Sequence, residues 1–342
     1  MKKLFFLTTL AVLITAFTFL PSLEGIDTQN PIENRDEFNR ALENSRAEIV
    51  ANGGTYTVAF NPAMQYTREQ LCSLNPNLPR SSQYLTAPTE SSEEISQTKY
   101  VPLPFDYIGY YTPIKDQQSC GSCWAFATCA QMESAIKKKN GQTLNLSEQF
   151  LISCNDMNYD CDGGWFIHDM HVDPGAVLES CIPYTATNGS CNPGFPMSIQ
   201  DLSNPGYIPP PPPPPPLCDA PCCSIQSWSY VGNSSSTPSV DAIKQAIIDY
   251  GAVSCAVYVD PNKYFLGILI QASHFMSYTG GVYNHCVSDQ GVNHAVQIIG
   301  WDDSKGAWRM KNSWGTGWGE SGFMWISYGC SKIGYAANYV VY

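Results

Sequence analysis

Charge is in short supply in this chain: Asp, Glu, Lys and Arg make up only 14% of its 342 residues, with 18 basic side chains against 30 acidic ones. No run of Lys or Arg is longer than Lys137-Lys138-Lys139. The formal charge of -12 therefore speaks against nucleic acid or an anionic membrane surface as partner. Long apolar runs are missing beyond residue 20, since the stretch from Phe265 to Ile270 is far too short to span a bilayer. No second Cys-x-x-Cys pair accompanies Cys120-Gly121-Ser122-Cys123, which removes the thiolate set of a structural zinc site. A redox dithiol fits poorly as well, because Trp124 follows the second cysteine where such sites carry Trp before the first. No metal or organic cofactor is expected.

What is present points to a globular protein, 44% hydrophobic and long enough for one or two ordinary cores. Met1-Lys2-Lys3, followed by an apolar run from Leu4 to Leu20, has the n-region and h-region of a signal peptide over residues 1–25; an uncleaved anchor is the alternative. Fourteen cysteines behind such a segment imply an oxidising compartment in which most are paired. The expected location is the secretory pathway, ending in a lysosome, a vacuole or the exterior. An acidic surface suits a vesicle of low pH.

The chemistry concentrates in three places. Asp116-Gln117-Gln118-Ser119-Cys120-Gly121-Ser122-Cys123-Trp124-Ala125-Phe126 puts Cys123 at the start of an apolar helical run, where a helix N-terminus favours a thiolate. Asn293-His294-Ala295-Val296 supplies an imidazole and Lys311-Asn312-Ser313-Trp314-Gly315 an amide, the other groups that thiol-based acyl transfer requires. Together these motifs resemble the papain/cathepsin family of cysteine peptidases, whose local pattern C-G-[SA]-C-[WY] is met by Cys120 to Trp124.

The resemblance implies an α+β, two-lobed fold with a helical lobe facing a β-barrel lobe and the site in the cleft. It implies Cys123 as nucleophile, His294 as acid and base, Asn312 orienting the imidazole, and Trp314 screening that contact. The Gln117 side chain and the Cys123 backbone N–H would hold the oxyanion. Gln118 stands where the family has glycine. Gly163 and Gly164 would pair with an extended peptide. Trp165, Phe166, Ala256, Val292 and Ala336 would surround the pocket for the second residue before the scissile bond, with Asn293 and Trp314 beside it. Small Ala256 and Ala336 predict bulky hydrophobic side chains there. Disulfides implied by the resemblance are Cys120–Cys161, Cys154–Cys191 and Cys286–Cys330. Two further bridges are expected among Cys181, Cys218, Cys222 and Cys223, the adjacent pair taking different partners. Cys129 and Cys255 read as buried free thiols.

Residues 26–101 read as a prosegment and 102–342 as the catalytic domain. Helical spacing at Phe38, Leu42 and Ile49 predicts an amphipathic helix, and Thr55 to Asn61 looks like the passage into the cleft-blocking strand. Gln65 replaces the family's acidic residue. Trp124 to Lys139 predicts one long helix and Ser147 opens another, while Val253–Val259, 295–300, 306–311 and 323–326 read as strands. Two insertions interrupt the pattern. One, about 195–226, contains the proline run 209–216, a stiff polyproline II rod. The other lies near Gly267 to His274. They account for the 171 residues between Cys123 and His294, against roughly 130–150 in the family. His168 and His171 could suggest a metal or carboxyl-binding loop, but a solvated helix face is the expectation. Asn145, Asn188 and Asn233 begin glycosylation sequons.

The expected function is that of an endopeptidase made as a secretory zymogen, hydrolysing peptide bonds through a Cys123 thioester. Its partners would be peptide or protein substrates, its own prosegment and cystatin-like inhibitors, with the enzyme a monomer. Alternatives are a peptide ligase using the same triad and an inactive binding homologue.

Overall fold

The computed structural model describes residues 35–86, 103–191, 221–287 and 290–342. The signal segment, the proline run and Cys218 lie outside the described residues. Among the described residues no helix is long and apolar enough to cross a membrane.

Helix α1 (Arg35–Ala51) buries Phe38, Ala41, Leu42, Ser45 and Ile49, the single face that 3.6-residue periodicity demands. A turn leads to β1 (Thr55–Val58), a 3₁₀ turn (Pro62–Gln65) and the one-turn helix α2 (Arg68–Leu71), whose Thr67 and Gln70 form a capping box. The body follows with β2 (Asp106–Ile108), the long helix α3 (Cys123–Asn140), α4 (Glu148–Cys154) and α5 (Asp169–Val172). After these come β3 (Ser227–Tyr230), α6 (Val240–Tyr250), β4 (Val253–Val257), β5 (Lys263–Phe265) and β6 (Ile268–Gln271). The chain closes with β7 (Tyr278–Tyr283), β8 (His294–Asp302), β9 (Ala307–Lys311), β10 (Phe323–Ser327) and β11 (Tyr335–Val341).

One nine-stranded sheet runs β1-β7-β10-β9-β8-β4-β11-β3, with β2 also on β8. Its first strand comes from the N-terminal segment: β1 pairs antiparallel with β7 from Thr55↔Val282 to Val58↔Tyr278. Gly281 makes that approach possible, since a Cβ there would lie 2.3 Å from the Thr55 carbonyl oxygen. The insertion near Gly267 is the hairpin β5–β6. It packs on α1 through Asn44 Nδ2 donating to the Ile270 carbonyl at 2.6 Å and the Leu269 N–H donating to Glu37.

Two apolar cores result. One joins Phe38, Leu42, Tyr56 and Leu71 of the N-terminal segment to Trp301, Trp308, Trp318 and Phe275 of the strand-rich lobe. The other surrounds α3 with Trp124, Phe150, Trp165 and Trp228. Helix α3 is buried continuously from Cys123 to Ile136 and ends at Gly141 with φ 75°. Ala256, Ala295 and Ala336 belong to this second core, so the strands reach the helical lobe through small side chains.

Disulfides join Cys120 to Cys161, Cys154 to Cys191 and Cys286 to Cys330; Cys181 is disulfide-bonded too. Cys129 and Cys255 are buried free thiols. The expectation of two further bridges is corrected, because Cys222 and Cys223 are both free and their sulfurs lie 3.0 Å from each other. Neither has turned to a separate partner, as the backbone is pinned by the reciprocal bonds of Ala176 N–H to Cys223 O and Cys222 N–H to Ala176 O. The solvated face expected for His168 and His171 is also corrected. Both rings are buried, 0% and 1% exposed. His168 Nε2 lies 2.7 Å from Asn338 Oδ1, and burial lowers the two rings to about 4 and about 3. Short α5 packs on β3 and His168, just before it, meets β11, so both rings face protein where solvent was expected.

Candidate active site

Cys123 is the first residue of α3 and is completely buried. The start of β8 faces it: the Ala295 backbone N–H is directed at the thiol, as are the N–H groups of Ser73 and Leu74 and the Ser73 hydroxyl. Burial pushes the thiol up despite these donors. His294 Nε2 lies 2.8 Å from Asn312 Oδ1, and the Ser313 N–H donates to the same oxygen at 2.9 Å. Burial lowers the imidazole to about 4, against the Asn312 bond and the Leu71 carbonyl, which favour its charged form. Thiol and imidazole are thus both driven toward neutrality while the cleft is covered.

Trp314 lies 4.8 Å from the His294 ring, centroid to centroid, at 33°. Phe275 sits edge-on to Trp314 and Trp318 stacks on Phe275, so the imidazole–amide contact is walled by aromatic carbon. Gln117 is held from below, Ser313 Oγ donating to its Oε1 at 2.7 Å. Its Nε2 donates to the Cys120 carbonyl at 2.9 Å and to the Leu71 carbonyl at 3.2 Å. Thiol, imidazole, amide and a side-chain N–H donor therefore converge, as acyl transfer requires.

The cleft is filled by the N-terminal segment. Gly164 uses both backbone groups on it, donating to Ser73 O at 3.3 Å and accepting from Asn75 N at 3.0 Å. Leu74 N–H donates to Asn293 O at 3.0 Å. The Leu74 side chain joins the same buried cluster as Trp165, Phe166, Ala256, Val292 and Ala336. The Trp165 ring is also capped by the Arg80 guanidinium at 4.2 Å, and Trp314 belongs to the other core. A Cβ on Gly164 would meet the Trp124 ring at 2.5 Å, so only glycine fits between that ring and the pairing strand. Asn145, Asn188 and Asn233 are exposed.

Leu71, Ser73 and Leu74 had no sequence signal as neighbours of Cys123, because their relation to it is purely tertiary. The same holds for Cys72, a buried free thiol beside them. A cluster of charges under the cleft was equally unannounced: Lys115 Nζ contacts Glu133 at 2.8 Å and Glu148 at 2.7 Å, and Lys311 Nζ donates to Thr112 at 3.0 Å.

The fold and this constellation define a thiol-dependent hydrolase of two lobes. A family model described as papain family cysteine protease matches residues 102–342; the chain belongs to that family and is a cysteine-type peptidase with its α+β fold. It is 31% identical over 310 residues to cathepsin K of Mus musculus, covering 84% of this chain and 81% of that protein. Identity to digestive cysteine proteinase 1 of Homarus americanus is 33%, covering 84% of this chain and 78% of the relative. A match of 34% to gamete and mating-type specific protein A of Dictyostelium discoideum covers 66% of this chain but only 42% of that longer protein. Among solved structures, digestive procathepsin L2 from Tenebrio molitor larval midgut superposes with TM-score 0.66 at 22% identity, covering 98% of this chain and 99% of that one. A Carica candamarcensis cysteine protease in complex with E-64 gives TM-score 0.53 at 25% identity, covering 70% of this chain and 98% of the other.

Proposed function

We propose that the chain is the latent form of a secretory endopeptidase, with residues 26–101 as a removable prosegment and 102–342 as the enzyme. Cys123, His294 and Asn312 act as the triad, and Gln117 with the Cys123 backbone N–H as the oxyanion site. The observation that carries this reading is the path of residues 71–75, which occupies Gln117, Gly164 and Asn293 together. Its path through the cleft supports reading that segment as an inhibitor. Leu74 and Gly164 form a parallel bridge, and the thiol faces the N–H groups of Ser73 and Leu74 where an attacked substrate would offer a carbonyl carbon.

Loss of the segment readmits water, which removes the desolvation that holds thiol and imidazole neutral and lets the thiolate–imidazolium pair form. The thiolate then attacks the substrate carbonyl, and the developing oxyanion takes the donors that Leu71 O vacates on Gln117. His294 passes its proton to the leaving amine, giving a Cys123 thioester. It next takes a proton from water, whose attack releases the acid and restores the thiol. A bulky apolar residue would fill the place of Leu74. Travel through the secretory pathway fits the signal-like start and the disulfides. The natural partners would be peptide substrates and cystatin-like inhibitors acting on a monomer.

The test is intact mass after acid activation and treatment with E-64, run beside Cys123→Ala. One adduct in the activated chain, none in the variant, together with hydrolysis of a hydrophobic-Arg fluorogenic dipeptide amide, is the expected result. A folded, prosegment-free chain that takes no adduct would overturn the reading. Preferential transfer to an added amine would make the enzyme a ligase.

A further inference from the structure

Away from the cleft, three metal-ligating side chains converge at the contact between α1 and the strand-rich lobe. Glu48 of α1, His274 just after β6 and His285 just after β7 each offer a donor atom, and the three atoms lie within 4.8 Å of one another. His274 Nε2 is 3.7 Å from Glu48 Oε2. The Gln271 carboxamide reaches into the same space, with Nε2 3.0 Å from His274 Nε2 and in contact with Glu48.

His274 is already oriented. Its ring is buried at 1% exposure, its Nδ1 is hydrogen-bonded to the Tyr56 hydroxyl, and its backbone N–H is fixed to Asp260 Oδ2 at 2.8 Å. A partner on one ring nitrogen, with the other directed at the site, is the usual support of a metal-bound imidazole; here Nε2 faces Glu48 and the Gln271 amide, which must turn away. The His285 ring is stacked on His274 at 4.2 Å and 9°. To ligate, it must turn edge-on, which its half-buried loop position permits.

We propose that Glu48, His274 and His285 bind a borderline divalent cation, zinc by preference, with the Gln271 carboxamide turned to present its oxygen as a fourth group. Two imidazoles and a carboxylate suit zinc, which takes such donors at about 2.0–2.2 Å in a tetrahedral set; the present separations have to contract on binding. Glu48 and the supporting Tyr56 belong to the N-terminal segment, whereas both histidines belong to the body. The ion therefore clamps the segment in place, and by mass action zinc at a hundred times its Kd lowers the released population about a hundred-fold. This consequence rests on the prosegment reading; the site itself does not.

The experiment uses the full chain carrying Cys123→Ala, Cys222→Ser and Cys223→Ser, which prevents self-cleavage and removes the exposed thiol pair as a competitor. Zinc is titrated at pH 7 against a chromophoric chelator. One ion per chain is expected, with affinity reduced at least tenfold by Glu48→Gln and by His285→Ala, two partly exposed positions whose folding circular dichroism verifies. Equal affinity in both variants, or no saturable binding below about 1 mM, overturns the site. In the chain with Cys123 intact, zinc should slow acid-triggered loss of the segment and a chelator should restore it, with no zinc effect in His285→Ala. Slowing that persists in His285→Ala assigns the effect to the cleft and overturns the clamp. Zinc bound through these residues in a chain that never sheds its segment supports the site while overturning the prosegment reading.

Discussion

Gln118 has a φ of 52°, a left-handed conformation that costs a non-glycine residue roughly 1 kcal/mol. Its N–H is tied to Asp116 Oδ1 at 2.9 Å, which holds the turn leading Gln117 into the cleft. Gln118→Gly should leave KM unchanged and alter stability by no more than about 1 kcal/mol, strain relief being partly offset by a more flexible unfolded chain; a urea titration reads this. In the proposed mechanism Gln117 contributes the one N–H now held by the Leu71 carbonyl. Gln117→Ala should lower kcat of the activated enzyme by about 10²–10³-fold, and steady-state kinetics with a dipeptide amide would show it. The motif around Cys123 made both positions legible. The φ at Gln118 and the hold of Ser313 on Gln117 are tertiary facts, since position 313 lies on another lobe.

At the level of elements, α1 and β1 donate side chains to the core of the strand-rich lobe and a strand to its sheet edge, and the proposed latent state depends on them. Phe38 is fully buried there, and its ring meets Phe60 edge-on at 5.7 Å. Phe38→Ala should weaken docking of the segment by about 3–5 kcal/mol. The uncleaved variant should therefore react with E-64 at neutral pH far faster than the parent, while the activated enzymes behave alike. Gly164→Ala acts on the opposite element. Its Cβ would press on the Trp124 ring, displace the pairing strand and raise KM about tenfold or more for extended peptides. Periodicity announced α1, α3 and the strands β4, β8, β9 and β10. It could not announce the β5–β6 hairpin, whose short apolar stretch reads equally as a loop insertion, nor that His168 would meet β11.

For the whole molecule, the charges beneath the cleft contribute to how stability varies with pH. Burial raises Glu148 to about 7, with Lys115 opposing and Glu133 reinforcing the shift. A carboxyl raised in the folded state stays protonated there while the unfolded chain has lost its proton. Its contribution is fully present below the unfolded value near 4.5 and is lost as pH rises through about 7. This group alone favours the folded state at pH 5 over pH 7.5 by on the order of 1–3 kcal/mol, whereas buried His168, His171 and His294, lowered to about 4, about 3 and about 4, oppose it by losing stability as pH falls below about 6.5. Glu148→Gln should remove this carboxyl's contribution, so that thermal melts show the variant gaining stability at pH 7.5 relative to pH 5 when compared with the parent.

The sequence by itself determined the family, the identities of Cys123, His294, Asn312 and Gln117, and the main helices and strands, because each is written in a local motif or a short period. Only the tertiary structure decided what those groups face. Residues 71–75 fill the cleft, Cys222 lies against Cys223, and His168 and His171 are buried. Glu48 meets His274 and His285 across more than 220 residues of chain. Such contacts arise from the packing of distant surfaces, and no window of sequence carries the coordinates that bring them together.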